Sequence, residues 1–294
     1  MTKLGVGVIA AFVFTVLSGC EAAKKEPVTE SPTSDTILGS GGGSVDEAMI
    51  DLLMSLPSPV QMVNILRNAN AAYDGTLLNP VTNKENYKSS ASQAMILGVY
   101  GADLSYVTLF DRKKESLQYF ALTSEIAQKI GVGSVFTKEV LDRATNNQGN
   151  RDSLEQIFTE TFANLHARLE QNANERDLAL IISGGWVETI WLAGSIWRMK
   201  KVRELADQIA VQGTTASMLA DLIGKLDSKD AAVQNLMLKF GEISEIYRAM
   251  SPPADEAEKK ADDDDAPVKP KYTDEQIDAI FKITSALRKT ITKG

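Results

Sequence analysis

Two acidic residues lie in stretches of the chain that are otherwise apolar. Asp103 falls within residues 95–110, which are apolar on nearly every side of a predicted helix, and Glu188 falls within residues 178–199, the most apolar segment beyond residue 20. A carboxylate that is removed from water needs a charged or hydrogen-bonding partner, or it keeps its proton. These two residues are therefore the first candidates for chemistry.

If the two helices face each other, the acids form the centre of a polar pocket. The side chains predicted to line that pocket are those of Asp103, Glu188, Tyr100, Tyr106 and Trp186. A second interpretation places each acid in a structural ion pair or hydrogen bond inside a bundle, with Arg112 or Arg198 as the partner. Two carboxylates alone specify neither glycoside nor ester hydrolysis, so no catalytic residue is assigned.

The sequence contains no set of residues that is typical of a metal or cofactor site. His166 is the single histidine and has only Glu170 one helical turn further on, so a surface or boundary position is predicted for it. The chain lacks Glu-x-x-His, His-Glu-x-x-His and Gly-x-Ser-x-Gly motifs. The aspartates at 262–265 are adjacent, whereas a calcium loop spaces its ligands. We therefore expect no metal and no cofactor.

The composition predicts a folded, acidic protein. The chain has 294 residues, of which 44% are hydrophobic and 24% charged, and its formal net charge is −8. That apolar fraction is sufficient for a core, and the negative charge repels phosphate backbones, so a nucleic-acid partner is not expected. A single cysteine excludes an internal disulfide.

The first twenty residues have the pattern of a secretory signal. Lys3 precedes an apolar run, residues 4–17, which ends in Leu17-Ser18-Gly19-Cys20. The run is shorter than the roughly 20 apolar residues that a bilayer span needs. Its ending resembles the lipobox of bacterial lipoproteins, which is a leucine, two small residues and a cysteine.

The resemblance implies that Cys20 is the lipid attachment site. In that family the cysteine sulfur receives a diacylglyceryl group, the signal peptide is removed, and the new amino terminus is acylated, with palmitate as a typical fatty acid. More than one acyl chain makes such an anchor stable. We expect a protein held to a membrane of the bacterial cell envelope and exposed outside the cytoplasm, with the outer membrane favoured over the inner membrane.

Composition also predicts the division of the chain. Residues 1–19 are the signal peptide, and residues 20–44, rich in Pro, Ser, Thr and Gly, form the lipidated cysteine and a disordered tether. Residues 45–251 form an all-helical body. An acidic, proline-containing linker at 252–272 precedes a C-terminal amphipathic helix at 273–294.

Apolar residues recur at helical spacing through the body, and no stretch alternates as a strand would, so the fold class is all-α. The expected architecture is a multi-helix bundle or a helical-hairpin repeat. Asn83 is predicted to cap a helix over about 85–110 and Thr273 to cap the last one. The other predicted helices cover residues 46–54, 59–66, 113–130, 137–144, 153–165, 178–199, 200–213, 216–226 and 230–250.

Two segments resemble each other within the chain. Residues 97–103 and 183–188 each contain small residues, an aromatic residue and then an acid, and each is followed by a basic turn. This echo indicates a diverged duplication or a chance similarity, and the sequence leaves both open. Gly98 and Gly101 are expected to allow close approach of a neighbouring helix. These phrases, with residues 55–59, are also similar to a group of uncharacterised helical lipoproteins from Bacteroidetes, a resemblance that implies no particular activity.

Three hypotheses about function remain at this point. The first is a lipid-anchored helical module that binds an envelope protein or a small ligand. The second is a hydrolase-like envelope enzyme that uses Asp103 and Glu188 in a cleft. The third is an assembly accessory that docks on a partner through its C-terminal helix.

Overall fold

The computed structural model describes residues 71–172, 174–226, 228–250 and 270–294. The predicted signal peptide, Cys20, the tether, residues 45–70 of the body and residues 252–269 of the linker lie outside the described residues. Within the described part 81% of the residues are helical and none is in a strand. The all-α class and the multi-helix bundle are therefore confirmed.

The α-helices are numbered here in chain order. They are α1 Ser90–Leu109, α2 Lys113–Lys129, α3 Lys138–Asn146, α4 Arg151–Gln171, α5 Glu175–Lys200, α6 Arg203–Ala210, α7 Gly213–Gly224, α8 Ala231–Met250 and α9 Asp274–Lys293. Short 3-10 helices cover Gly75–Leu77, Val81–Asn86 and Gly133–Val135.

Side-chain caps explain where several helices begin. Thr273 forms a capping box with Gln276, as predicted, and Thr137 accepts a hydrogen bond from the Val140 amide. The prediction for Asn83 was wrong, because Ser89 caps α1 through the Ser92 amide and Asn83 lies inside a 3-10 helix. A serine directly before the helix supplies the acceptor that the first free N–H groups need.

Helices α1 and α5 form the centre of the bundle and run side by side in the same direction. Arg176 near the start of α5 contacts Ser90 at the start of α1, at 3.3 Å, and the two acids approach each other further along. Between these points the backbones touch. A Cβ on Gly98 would overlap the Ile181 carbonyl oxygen and lie 2.6 Å from the Gly185 nitrogen.

The contact between these helices is reciprocal. Gly98 lies against the carbonyl of Ile181, and Gly184 lies against the carbonyl of Met95. Both pairs of equivalent positions are separated by 86 residues, as are Tyr100 and Trp186. The two segments of the sequence echo therefore pack directly on each other. The expectation of close helix approach is confirmed at Gly98, whereas Gly101 lies under the ring of Phe162 from α4.

The remaining helices surround this pair. Helix α2 packs on α1, α4 contacts both central helices, and α6, α7 and α9 pack on α5, while α8 packs on α7 and α9. Helix α5 is long and apolar enough to span a membrane, but 83% of its most apolar window is buried inside the bundle. Its apolar character is thus used for core packing.

Helix α9 closes the bundle along its whole length. Its apolar stripe is buried, and it consists of Ile277, Ile280, Phe281, Thr284, Leu287 and Ile291. Burial of such a stripe is the main source of helix stability in a folded protein. The polar side of this helix contributes one further residue, Arg288, to the interior.

Candidate functional site

Glu188 on α5 is fully buried and is bound by Arg288 from α9. Arg288 Nε donates to Glu188 Oε2 at 2.7 Å, and Arg288 Nη2 donates to Oε1 at 2.8 Å. The arginine side chain is 15% exposed and the glutamate 0%. This two-point geometry is the strongest arrangement of a carboxylate with an arginine. The same Nη2 also donates to the Leu77 carbonyl at 2.7 Å.

Asp103 on α1 is also fully buried, but it has fewer partners. Its Oδ2 accepts a hydrogen bond from the Asn79 amide at 3.1 Å, and no N–H or O–H group of the described residues donates to its Oδ1. The Glu188 carboxyl is a close neighbour of the Asp103 carboxyl. Burial, and then the charge of Glu188, raise the pKa of Asp103 well above its usual range.

The two acids are therefore unequal. Burial raises the pKa of Glu188 as well, but the hydrogen bonds and the charge of Arg288 act in the opposite direction. Glu188 is thus the acid whose ionised form is stabilised by a cation, whereas Asp103 has no cation bound to it among the described residues. A shared proton is the expected solution for two carboxyl groups that cannot both ionise.

Asn79 connects this pair to two tyrosines. Besides its amide bond to Asp103, its carbonyl accepts from Tyr119 Oη at 3.0 Å and its Nδ2 donates to Tyr87 Oη at 2.9 Å. The Tyr87 hydroxyl in turn donates to the Thr292 carbonyl of α9. Asn79 is 1% exposed, and its Oδ1 accepts from Asn83. A buried asparagine that makes four hydrogen bonds fixes the chain around it.

An aromatic stack lies beside the ion pair. The Arg288 guanidinium lies 4.8 Å from the Trp191 ring centre, and Trp191 stacks on Phe281 with centroids 5.3 Å apart. On the other side of Phe281 lies the guanidinium of Arg198, at 5.0 Å. We call these four side chains the α5–α9 stack. It adds cation–π contacts to the apolar packing between the two helices.

The five residues of the predicted pocket occupy three different environments. Asp103 and Glu188 are brought together, and Tyr100 lies near them, with its hydroxyl donating to the Pro80 carbonyl at 3.0 Å. Tyr106 instead accepts from the Asp74 amide and contacts Tyr73 and Phe110.

Trp186 points away from the acids. Its ring packs against Phe240 of α8 at 5.2 Å, and its Nε1 has no acceptor among the described residues. Trp186 and Glu188 are two positions apart on one helix and so face different neighbours.

The arginines suggested by the sequence have other partners. Arg112 binds Glu115, and Arg198 binds Asp278 at 3.4 Å. His166 is half-buried on α4, where desolvation lowers its pKa. The described residues contain no group of three or more His, Cys, Asp or Glu side chains that could bind a metal. The acid pair itself is closed off by protein atoms rather than exposed in a cleft.

Sequence reasoning missed the residues that complete the cluster. Arg288 and Asn79 lie 100 and 24 residues from the acids that they bind. Arg288 lies on the polar side of an amphipathic helix and Asn79 lies before a proline, and such positions are usually exposed.

No protein-family model, curated protein or solved structure matches this chain.

Proposed function

We propose that this protein is a lipid-anchored lipoprotein of the bacterial cell envelope whose helical body binds another envelope component. The ending Leu17-Ser18-Gly19-Cys20, after a short apolar run, supports the anchor. The internal position of the acid pair supports a binding module over an enzyme. The burial of Asp103 and Glu188 is the observation that distinguishes the binding module from the enzyme.

A hydrolase-like mechanism needs a carboxyl group that reaches its substrate. A general acid or base acts within hydrogen-bonding distance of the reacting atom. Asp103 and Glu188 are both 0% exposed, and Arg288 occupies both oxygens of Glu188. The pair therefore favours an internal role, and the hydrolase hypothesis loses its two candidate residues.

The apolar face of the C-terminal helix α9 is not free to bind a partner. The apolar face that an assembly accessory would offer to a partner is buried against α5 and α8. A binding surface elsewhere on the body is therefore favoured over α9 itself.

A shallow groove between the end of α8 and the start of α9 is the surface that we propose for the partner. It has an apolar floor and acidic edges, and its lining consists of Glu245, Ile246, Ala249, Glu275, Gln276 and Ala279. Opposite charges steer partners together, so the segment that binds here is expected to be apolar with basic flanks.

The anchor is tested by replacing Cys20. Wild-type protein should incorporate a labelled fatty acid and sediment with membranes, and Cys20→Ser should do neither. Ser18→Ala keeps a small residue in the lipobox and serves as the matched control, which should still be labelled. Mass spectrometry that finds an unmodified Cys20 joined to an intact signal peptide would contradict the anchor.

The groove is tested by photo-crosslinking in cells. A crosslinking amino acid at Ala249 should capture one envelope protein, and the capture should fall when Glu245 and Glu275 are both changed to Gln. Ala163, an exposed alanine on α4, is the matched control position. Equal capture of the same protein from both positions would argue against the groove.

A further inference from the structure

The buried cluster contains more acidic groups than basic ones. Asp103, Glu188 and Arg288 carry a net charge of −1 if both acids are ionised, and only Arg288 is partly exposed. An uncompensated charge in the interior is strongly unfavourable. The cluster therefore requires one more positive charge.

The tyrosines that surround the pair do not supply a hydrogen bond to it. The hydroxyl of Tyr100 donates to the Pro80 carbonyl, that of Tyr119 to the Asn79 carbonyl, and that of Tyr87 to the Thr292 carbonyl. Among the described residues the Asn79 amide is the one hydrogen-bond donor to Asp103, and Oδ1 has no partner although the Glu188 carboxyl is a close neighbour. A proton is the ligand that fits this position.

We propose that Asp103 and Glu188 form a proton-binding site that holds one proton while α9 is docked, and that loss of this proton favours undocking of α9. Ionisation of Asp103 places two negative carboxylates side by side against a single guanidinium. Water then has to enter the cluster to compensate for the added charge.

Helix α9 is the element whose movement admits that water. It supplies the arginine of the cluster, its Thr292 carbonyl binds Tyr87, and its Arg288 binds the Leu77 carbonyl. Helices α1 and α5 are locked together by the glycine contacts and cannot separate at this point without breaking the core. Undocking of α9 opens one side of the cluster and leaves the central pair intact.

Proton linkage gives the size of the effect. If the docked state holds one proton more than the undocked state, the ratio of undocked to docked protein rises up to tenfold for each pH unit between the lower pKa of Asp103 in the undocked state and its raised pKa in the docked state. Below the first of these pKa values and above the second, the ratio is independent of pH. This inference concerns α9 and does not depend on the proposed binding function or on the anchor.

Hydrogen exchange followed by mass spectrometry tests the proposal on the full chain between about pH 6 and about pH 10. Protection, corrected for the intrinsic exchange rate, should fall with rising pH in peptides from α9 and stay constant in peptides from α4. Asp103→Asn should remove this dependence, because its amide can donate to Glu188 and accept from Asn79 at every pH. Asp278→Asn, which changes an ion pair of α9 with Arg198 away from the cluster, should keep the wild-type slope.

Three results would overturn the proposal. They are a flat profile for α9 in the wild type, an unchanged slope in Asp103→Asn, and loss of protection in α4 in step with α9. If Asp103→Asn fails to fold, infrared spectroscopy of the wild type decides. A protonated carboxyl band at about pH 7 that disappears as the pH rises supports a stored proton, and the absence of such a band excludes it.

Discussion

Helices α1 and α5 share one backbone contact but differ in what surrounds it. Gly98 and Gly184 make equivalent close approaches to the opposite helix. Two positions later, Tyr100 hydrogen-bonds to a loop carbonyl, whereas Trp186 packs on Phe240. Tyr100 thus contacts the segment that precedes α1, through Pro80 and Tyr87, and Trp186 contacts α8. The glycine contact between the two helices therefore does not depend on which aromatic residue follows each glycine.

The same inequality applies to the two acids. Glu188 receives a guanidinium in a two-point arrangement, and Asp103 receives one backbone amide. Two carboxyl groups that are both fully buried therefore have very different partners. Similar burial on two packed helices does not give equivalent chemistry, because partners from distant parts of the chain decide it.

The largest expected effect concerns the shared contact. Gly98→Ala and Gly184→Ala should each lower the free energy of unfolding by about 3 kcal/mol, because the new Cβ meets backbone rather than a movable side chain. Denaturant unfolding monitored by circular dichroism measures this. Gly241→Ala in α8, where a Cβ would meet nothing within 4 Å, is the control. It should stabilise the protein by about 0.5–1 kcal/mol. Tolerance of one central substitution but not the other would show that the contact is not reciprocal.

The next effect concerns Glu188. Glu188→Gln removes the charge that compensates Arg288 and should lower the free energy of unfolding by about 3 kcal/mol. Asp278→Asn, which weakens the more exposed pair with Arg198, should cost less than about 1 kcal/mol in the same assay. Equal losses in the two variants would mean that the buried pair contributes no more than a surface one.

Asp103 is expected to behave in the opposite way. The raised pKa of Asp103 means that the folded state keeps a proton that the unfolded state releases above about pH 4. The stability that this proton confers is complete below that pH and is lost as the pH rises towards the folded-state pKa. Asp103→Asn should therefore change stability little at about pH 5 and make the protein more stable than the wild type at about pH 9. Urea unfolding at the two pH values measures the difference, and a less stable variant at high pH would contradict it.

The smallest effect concerns the aromatic residues that follow the glycines. Tyr100→Phe should lower stability by about 1 kcal/mol, because the hydrogen bond to the Pro80 carbonyl is lost while the ring stays in place. Thermal unfolding is sufficient to detect it. An unchanged melting temperature would mean that the Tyr100 hydrogen bond contributes nothing to stability. Tyr100 and Trp186 would then differ only in how their rings pack.

Local signals in the sequence explain what could be predicted. The cap at Thr273 and the start of a helix at Thr137 were predicted because they depend on residues within one turn. The burial of Asp103 and Glu188 followed from the apolar residues around them. The amphipathic pattern of α9 was equally plain, since its buried stripe repeats at helical spacing.

The partners of the acids could not be predicted in this way. Arg288 is one of several basic residues on the last helix, and only the path of the whole chain brings it to Glu188. Asn79 was interpreted as a break before a proline, although its backbone and side chain together make four hydrogen bonds. Contacts over such sequence separations depend on tertiary packing, about which local patterns carry no information.

The α5–α9 stack gives the molecule a built-in optical probe. Trp191 is sandwiched between Phe281 and the Arg288 guanidinium, whereas Trp186 lies against Phe240 and Trp197 against Lys201. The fluorescence of Trp191 alone therefore depends on both side chains that α9 contributes. In a single-tryptophan protein with Trp186→Phe and Trp197→Phe, the fluorescence of Trp191 would report undocking of α9 in real time and without any added dye.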